Sequence, residues 1–192
     1  FEFKGKTYAS YRTSLTSWQT NIALLDSALN VVDPEVKVIK RLEDARFFVF
    51  RDDIWFVDNR CCSKTRTLQS FKGKKITLRS QHLGSNFFQG KNWSPFVLNN
   101  QVYFIYSLVP LQIISVSMNS GEMKWYFREN TMNFSDEIIR GGTNGVLSNN
   151  FIYGVGRITV RGNYSGCGGT WDAYHFPKLW RIPLASFITK DK

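Results

Sequence analysis

The sequence predicts an all-β fold, a β-propeller of four-stranded antiparallel blades. The chain has 192 residues, of which 43% are hydrophobic and 16% aromatic. This composition favours strands packed around a sizeable core. A strand–turn–strand pattern also recurs at Gly5, Asp53, Asn100 and Asn150, with spacings of 48, 47 and 50 residues. A strand-rich unit that repeats at this length is typical of a propeller blade.

The first repeat contains a hairpin and two further strands. Apolar residues alternate on both sides of Lys4-Gly5-Lys6, which indicates two strands joined by a tight turn. Residues 21–25 and 31–39 predict two more strands, with a break at Asp33-Pro34. Together these segments predict one four-stranded sheet.

The other repeats open with the same kind of hairpin. Their strand pairs flank polar turns and are 46–50 with 54–57, 96–98 with 102–106, and 145–147 with 151–156. Few helices are expected, because residues 42–47 run into the strand composition Phe-Phe-Val-Phe. Pro183 ends the last strand, since proline does not continue a central strand. The chain is therefore predicted to be a single domain, 1–192, with repeats at about 1–42, 43–90, 91–139 and 140–192.

Charge is unevenly distributed along the chain. The net charge is +10, and no acidic residue lies between Asp58 and Glu122. That interval contains eight cations, namely Arg60, Lys64, Arg66, Lys72, Lys74, Lys75, Arg79 and Lys91. One side of the molecule is expected to carry a positive potential that attracts phosphate, sugar phosphates, nucleic acid or anionic surfaces. The alternative is a flexible, solvated loop over residues 60–79.

The cysteines and histidines do not form a metal-binding pattern. Cys61, Cys62 and Cys167 lack ligand spacing, and His82 and His175 are too scattered to complete a site. We therefore expect no metal and no organic cofactor.

The sequence leaves the cellular compartment open. No apolar run reaches the roughly 20 residues needed to span a bilayer, and the N-terminus lacks the order of a signal peptide. The chain is therefore cytosolic, or a leader lies outside the given sequence. An odd number of cysteines favours reduced thiols, whereas Asn92, Asn133 and Asn163 are formal glycosylation acceptors.

Polar clusters precede three of the predicted hairpins. They are Glu43-Asp44-Ala45-Arg46, Lys91-Asn92-Trp93-Ser94 and Arg140-Gly141-Gly142-Thr143. Equivalent positions of successive blades converge on the central funnel, so these clusters are expected to form one site. Cations, a carboxamide, an indole and hydroxyls suit a polyhydroxylated ligand. The structural alternatives are an exposed turn for the first cluster, a core position for Trp93 and a glycine-enabled bend for the third.

These clusters, with Tyr174-His175-Phe176 and Ile182-Pro183-Leu184-Ala185-Ser186-Phe187, resemble the five-bladed propellers of the inverting β-mannoside phosphorylase and hydrolase family. Related propellers are mannosyltransferases. The similarity covers most of the chain, from Phe1 to Phe187. It implies an enzyme that cleaves or transfers a mannosyl residue with inversion.

The resemblance also implies roles for individual residues. Asp44 matches the general acid, Arg46 a sugar- or phosphate-binding residue, and Lys91 a phosphate-binding lysine. A carboxylic acid would protonate the departing oxygen, and fixed cations would hold phosphate in line. The other candidate binding residues are Arg12, Asn92, Trp93, Ser94, Tyr106, Arg140, Thr143 and His175. Inorganic phosphate is a candidate co-substrate, and the expected partner is an oligosaccharide or a sugar phosphate.

The chain departs from the family pattern at three places. Ala45 replaces a proline, and Tyr106-Ser107-Leu108 stands where the phosphorylases have a His-Arg pair. The attacking group therefore stays open between phosphate, water and an acceptor sugar. Four repeats are visible where the family has five. The missing repeat predicts exposed sheet edges, covered by an oligomeric partner or by a further blade.

A non-catalytic propeller that binds carbohydrate or a polyanion is the second hypothesis. In that case the basic stretch 60–79 is responsible for binding. Aromatic residues between cations would also suit single-stranded nucleic acid, which is the less expected partner. Steep salt dependence would indicate nucleic acid. A glycosyltransferase that uses a nucleotide sugar is a third class, distinguished by its activated donor.

Overall fold

The computed structural model confirms the predicted fold class, since four antiparallel four-stranded sheets form a four-bladed β-propeller. The structure describes residues 1–11, 19–40, 42, 45–58, 65–80, 83, 93–108, 110–128, 138–141, 143–159 and 175–185. In residues 138–141, 157–159 and 175–178 only the backbone is described. The sixteen secondary-structure elements that these residues form are all β-strands. None of the described residues forms a helix long and apolar enough to cross a membrane.

Each sheet is made of four strands that are consecutive in the chain. The first sheet contains β1 (Glu2–Phe3), β2 (Lys6–Tyr11), β3 (Gln19–Leu25) and β4 (Val31–Lys40). The second contains β5 (Arg46–Phe50), β6 (Asp53–Val57), β7 (Thr67–Ser70) and β8 (Lys75–Thr77). The third contains β9 (Ser94–Leu98), β10 (Gln101–Leu108), β11 (Leu111–Val116) and β12 (Met123–Arg128). The fourth contains β13 (Ile138–Gly141), β14 (Val146–Ser148), β15 (Phe151–Thr159) and β16 (His175–Pro183).

Every sheet contains a two-residue hairpin turn of the same type. Both central residues have positive φ in all four turns, which are Lys4-Gly5 (52° and 69°), Arg51-Asp52 (46° and 57°), Asn99-Asn100 (48° and 57°) and Asn149-Asn150 (45° and 63°). Two positive φ values identify a type I′ turn, whose twist matches that of the flanking strands. The turns are one residue shorter than the sequence predicted, and Asp53 begins β6 instead of lying in the turn.

The fourth sheet differs from the other three in its strand order. β16 pairs with β15 along its whole length, from Phe151 to Thr159. β13 and β14 pair with the two halves of the opposite edge of β15, at residues 156–159 and 151–153. The two short strands therefore lie end to end, as one interrupted inner strand.

Consecutive sheets pack face to face, and β6 shows how the sequence allows it. All five residues of β6 are buried. Ile54 and Phe56 pack with residues of the first sheet, whereas Trp55 and Val57 pack with residues of the third. Because successive side chains of a strand point to opposite faces, a continuous apolar run fills two interfaces at once. A third cluster joins the third and fourth sheets through Phe96, Ile105, Ile113, Ile152 and Ile182.

β4 continues through Asp33-Pro34, where the sequence predicted a break. β4 is the edge strand of the first sheet, so the N–H that proline lacks is not needed for a second ladder. The register of β3 against β4 shifts between Ile22 and Leu24 and again between Leu24 and Leu25. The proline therefore makes the strand irregular without ending it.

Gly121 allows the second and third sheets to meet at their outer strands. Its φ is +74°, and a Cβ atom there would collide with the backbone oxygen of Thr77. Arg79 N donates to Gly121 O at 2.8 Å, and Met123 N donates to Arg79 O at 3.0 Å. The backbones are thus hydrogen-bonded across the junction at a point that has no room for a side chain.

Candidate functional site

Three polar residues beside the inner strands, Arg46, Ser94 and Asn144, occupy equivalent positions in the repeat. Arg46 and Ser94 are the first residues of β5 and β9. Each lies five residues before the first residue of its hairpin turn, Arg51 or Asn99, and Asn144 lies five residues before Asn149. β5 contacts β9, and β10 contacts β13. Residues in or beside the three polar clusters therefore lie at the same end of the propeller. We call this region, defined by Arg46, Ser94 and Asn144, the polar end.

A backbone hydrogen bond joins two of these segments. Gly145 N donates to Pro95 O at 3.0 Å, which holds the segments of Ser94 and Asn144 beside each other. A Cβ atom on Gly145 would lie 2.8 Å from Ile152 Cγ2 in its own sheet and 3.2 Å from Phe96 Cβ in β9, so glycine gives both neighbours room.

Two polar atoms at the polar end are buried without a hydrogen-bond partner among the described residues. They are the Oγ atom of Ser94, a residue with 1% of its surface exposed, and the Oδ1 atom of Asn144. Buried polar atoms normally have a partner, and leaving one unsatisfied costs about 1–3 kcal/mol. In proteins the partner of such a buried atom is commonly a water molecule.

Trp93 forms the apolar support behind Ser94. Its side chain is 0% exposed and lies between the rings of Phe104 and Tyr106, with centroid distances of 5.9 and 5.6 Å. The guanidinium carbon of Arg66 lies 4.3 Å from the centre of its ring. In this structure Trp93 is a core residue, as the structural alternative for its cluster expects.

Arg66 brings a positive charge into the core behind the polar end. Its exposed fraction is 1%, and its Nη1 atom donates to Asp58 O at 2.7 Å. Burial raises the pKa of the Tyr106 phenol above its ordinary value, and the charge of Arg66 opposes part of that shift. Tyr106 also meets the ring of Trp125 edge to face at 5.7 Å.

Thr143 makes hydrogen bonds within the fourth sheet. Its Oγ1 atom accepts from Val155 N at 2.9 Å and donates to Asn144 O at 3.1 Å. Its own N–H donates to Val155 O at 2.8 Å. Thr143 therefore holds the backbone of Asn144 in place where the inner strand is interrupted.

Four candidate residues lie outside the described residues, namely Arg12, Asp44, Lys91 and Asn92. Along the sequence, Asp44 precedes the start of β5 by two residues, and Lys91 precedes the start of β9 by three. Arg140 lies in β13 opposite Arg157, and His175 begins β16 opposite Thr159, but the side chains of these two are not described. The half-buried Arg46 is thus the described charged residue closest in sequence to Asp44.

Neither Asn144 nor the burial of Arg66 was predicted from the sequence. Arg66 follows the alternation of β7, since Arg66, Leu68 and Ser70 are buried whereas Thr67 and Gln69 are partly exposed, but only Leu68 of the buried three is apolar and could have indicated this face from the sequence. Asn144 has no such signal, because its burial depends on the approach of a neighbouring sheet.

No family model, curated protein or solved structure matches the chain. Across the described ranges, no group of three His, Cys, Asp or Glu side chains is placed to hold a metal ion.

Proposed function

We propose that the polar end binds a glycosyl ring. In this proposal the protein cleaves or transfers a mannosyl residue, and the configuration at its anomeric carbon is inverted. The observation that carries this proposal is the equivalent placement of Arg46, Ser94 and Asn144, each five residues before the hairpin turn of its sheet. Two of them present buried oxygens that have no hydrogen-bond partner among the described residues. Such oxygens suit the hydroxyls of a sugar, which are both donors and acceptors.

The chemistry is proposed from the resemblance to inverting mannoside-acting propellers. Asp44 would give its proton to the departing glycosidic oxygen as the bond from that oxygen to the anomeric carbon breaks. A phosphate oxygen, water or an acceptor hydroxyl would attack the same carbon from the opposite face. Arg46 and Lys91 would hold an anionic nucleophile in line.

Binding and turnover are tested separately. We expect a β-mannoside to bind the protein in calorimetry, and Ser94→Ala and Asn144→Ala each to weaken binding by about 1 kcal/mol, the usual worth of a hydrogen bond. Ser148→Ala is the matched control, because Ser148 is exposed and lies at the other end of β14 from Asn144. Equal affinity in all variants would place the sugar elsewhere.

Turnover is measured with a mannoside that has a poor leaving group. The three assays contain buffer alone, added phosphate or an added acceptor sugar. Asp44→Asn is expected to lose about 10²- to 10⁴-fold in rate and still bind sugar. An activated aryl leaving group needs little protonation and would conceal the loss. Full activity of Asp44→Asn would refute the mechanism, and sugar binding without turnover in the unmodified chain would make it a carbohydrate-binding module.

A further inference from the structure

A basic cleft opens between the turns of the second and third sheets. Its volume is about 430 Å³, within the usual range for small-ligand sites. One wall comes from the second sheet, at the hairpin turn after Phe50 and the turn that joins β7 to β8. The other wall comes from Met118 and Asn119 in the turn that joins β11 to β12.

The charges that line the cleft are strongly unbalanced. Four cations line it, namely Arg51, Lys72, Lys74 and Lys75, against the single carboxylate of Asp53. Asp53 is buried, and its Oδ1 atom accepts from Ile54 N at 2.9 Å. The net lining charge is therefore 4 − 1 = +3, concentrated on exposed side chains. Such a concave surface attracts an anion.

The lysines are carried on a rigid turn. Ser70 N donates to Lys74 O at 2.8 Å, and Gly73 N donates to Ser70 O at 3.0 Å. The Ser70 hydroxyl also accepts from Lys74 N at 3.0 Å. Gly73 has a φ of +93°, a conformation that glycine adopts without strain. The backbone that carries the cations is thus already in place before a ligand binds.

The cations differ in how far they are already engaged. Lys72 Nζ donates to Asp52 O at 2.9 Å, and the guanidinium of Arg51 stacks on Phe50 at 5.1 Å. Lys74 and Lys75 are exposed, and neither forms an ion pair with a carboxylate of the described residues. Two ammonium groups therefore remain available to an incoming anion.

The cleft is distinct from the polar end. The polar end includes Arg46, the first residue of β5, whereas the cleft begins at Phe50, the last. Four residue steps of a strand span about 13 Å, so the two sites lie at opposite ends of the inner strand. A ligand in the cleft does not depend on the proposed function.

The geometry points to the sulfate groups of a sulfated polysaccharide as the ligand of this cleft, and we propose that it binds such a chain. Lysine ammonium groups suit oxyanions as point charges and do not require the forked geometry of arginine. A polysaccharide is favoured over single-stranded nucleic acid because the latter binds by stacking its bases on aromatic rings. Trp55 and Phe50 are only 6% and 7% exposed, and Arg51 covers one face of Phe50.

The test is titration of the whole chain with heparin, with chemically desulfated heparin and with single-stranded oligothymidine. We expect heparin to bind, with affinity that falls as salt is added, and desulfated heparin to bind at least about tenfold more weakly. The double variant Lys74→Gln/Lys75→Gln should lose about tenfold in heparin affinity and show a shallower salt dependence. Lys40→Gln/Lys124→Gln removes the same charge outside the cleft and should change affinity less than about twofold.

Three results would overturn the proposal. Equal losses in both double variants would mean that heparin responds to net charge alone. Equal binding of native and desulfated heparin would exclude sulfate as the recognised group. Tighter binding of oligothymidine than of heparin, lost in the cleft variant, would make the cleft a nucleic-acid site.

Discussion

The guanidinium carbon of Arg66 lies 4.3 Å from the centre of the Trp93 ring, and both side chains are buried, at 1% and 0% exposure. The pair joins the second sheet to the third, because Arg66 directly precedes β7 and Trp93 directly precedes β9. A desolvated cation over an indole contributes about 2 kcal/mol. The same guanidinium also donates to Asp58 O, so one side chain connects three chain segments.

The first prediction concerns the stability that this stack provides. Arg66→Ala is expected to lower the free energy of unfolding by about 3–5 kcal/mol, because it leaves a cavity beside Trp93 and removes the donor to Asp58 O. Arg128→Ala is the matched control, since Arg128 stacks on Trp125 at 5.3 Å at an exposed position. The control should lose less than about 1 kcal/mol. Urea unfolding measures both, and equal losses would show that burial adds nothing to the stack.

The second prediction separates backbone strain from lack of space. Gly5 and Gly121 have similar φ values, +69° and +74°, but only Gly121 lies against another backbone segment. Gly5→Ala should cost about 1–2 kcal/mol, the strain of a left-handed residue. Gly121→Ala should cost at least about 2 kcal/mol more, because the outer strands must move apart. Thermal unfolding compares them, and equal losses would mean that the junction is free to adjust.

The third prediction is a pH dependence at Tyr106, whose pKa is raised by burial. The folded protein keeps the phenolic proton at a pH where the unfolded chain, with a pKa of about 10, has lost it. This contribution to stability is therefore complete below about pH 10 and is lost as the pH rises through the folded-state pKa. Tyr106→Phe should decline less steeply in alkali than the unmodified protein.

Denaturant titrations on both sides of pH 10 measure that difference, with Tyr153→Phe as the control. In an Arg66→Met background the pKa of Tyr106 should rise further, because the charge of Arg66 opposes the shift. Ultraviolet titration of the phenolate detects the change. A lower pKa in that background would contradict the assignment.

The fourth prediction concerns the hydroxyl of Ser94. Its Oγ atom is buried without a hydrogen-bond partner among the described residues. Ser94→Ala should therefore leave the free energy of unfolding unchanged or raise it by up to about 1 kcal/mol, even if it weakens sugar binding. A loss of more than about 1 kcal/mol would show that the hydroxyl has a structural partner.

Local residue chemistry determined the four hairpins and the two-sided burial of β6. Asn99-Asn100 and Asn149-Asn150 favour the left-handed conformations of a type I′ turn, and strand alternation assigns Ile54 and Trp55 to opposite faces. These features depend on neighbours in sequence, so they could be predicted. The equivalent positions of Arg46 and Ser94 followed from the same repeat.

Tertiary structure alone decided the features that depend on contacts between distant segments. Arg66 is buried because Trp93 covers its guanidinium, and Gly121 is required because the backbone of Thr77 lies against it. The basic cleft likewise combines Lys74 with Asn119, which are 45 residues apart in sequence (119 − 74). Side-chain periodicity carries no information about which turn of one sheet faces which turn of the next, since that depends on the angle and spacing at which whole sheets pack.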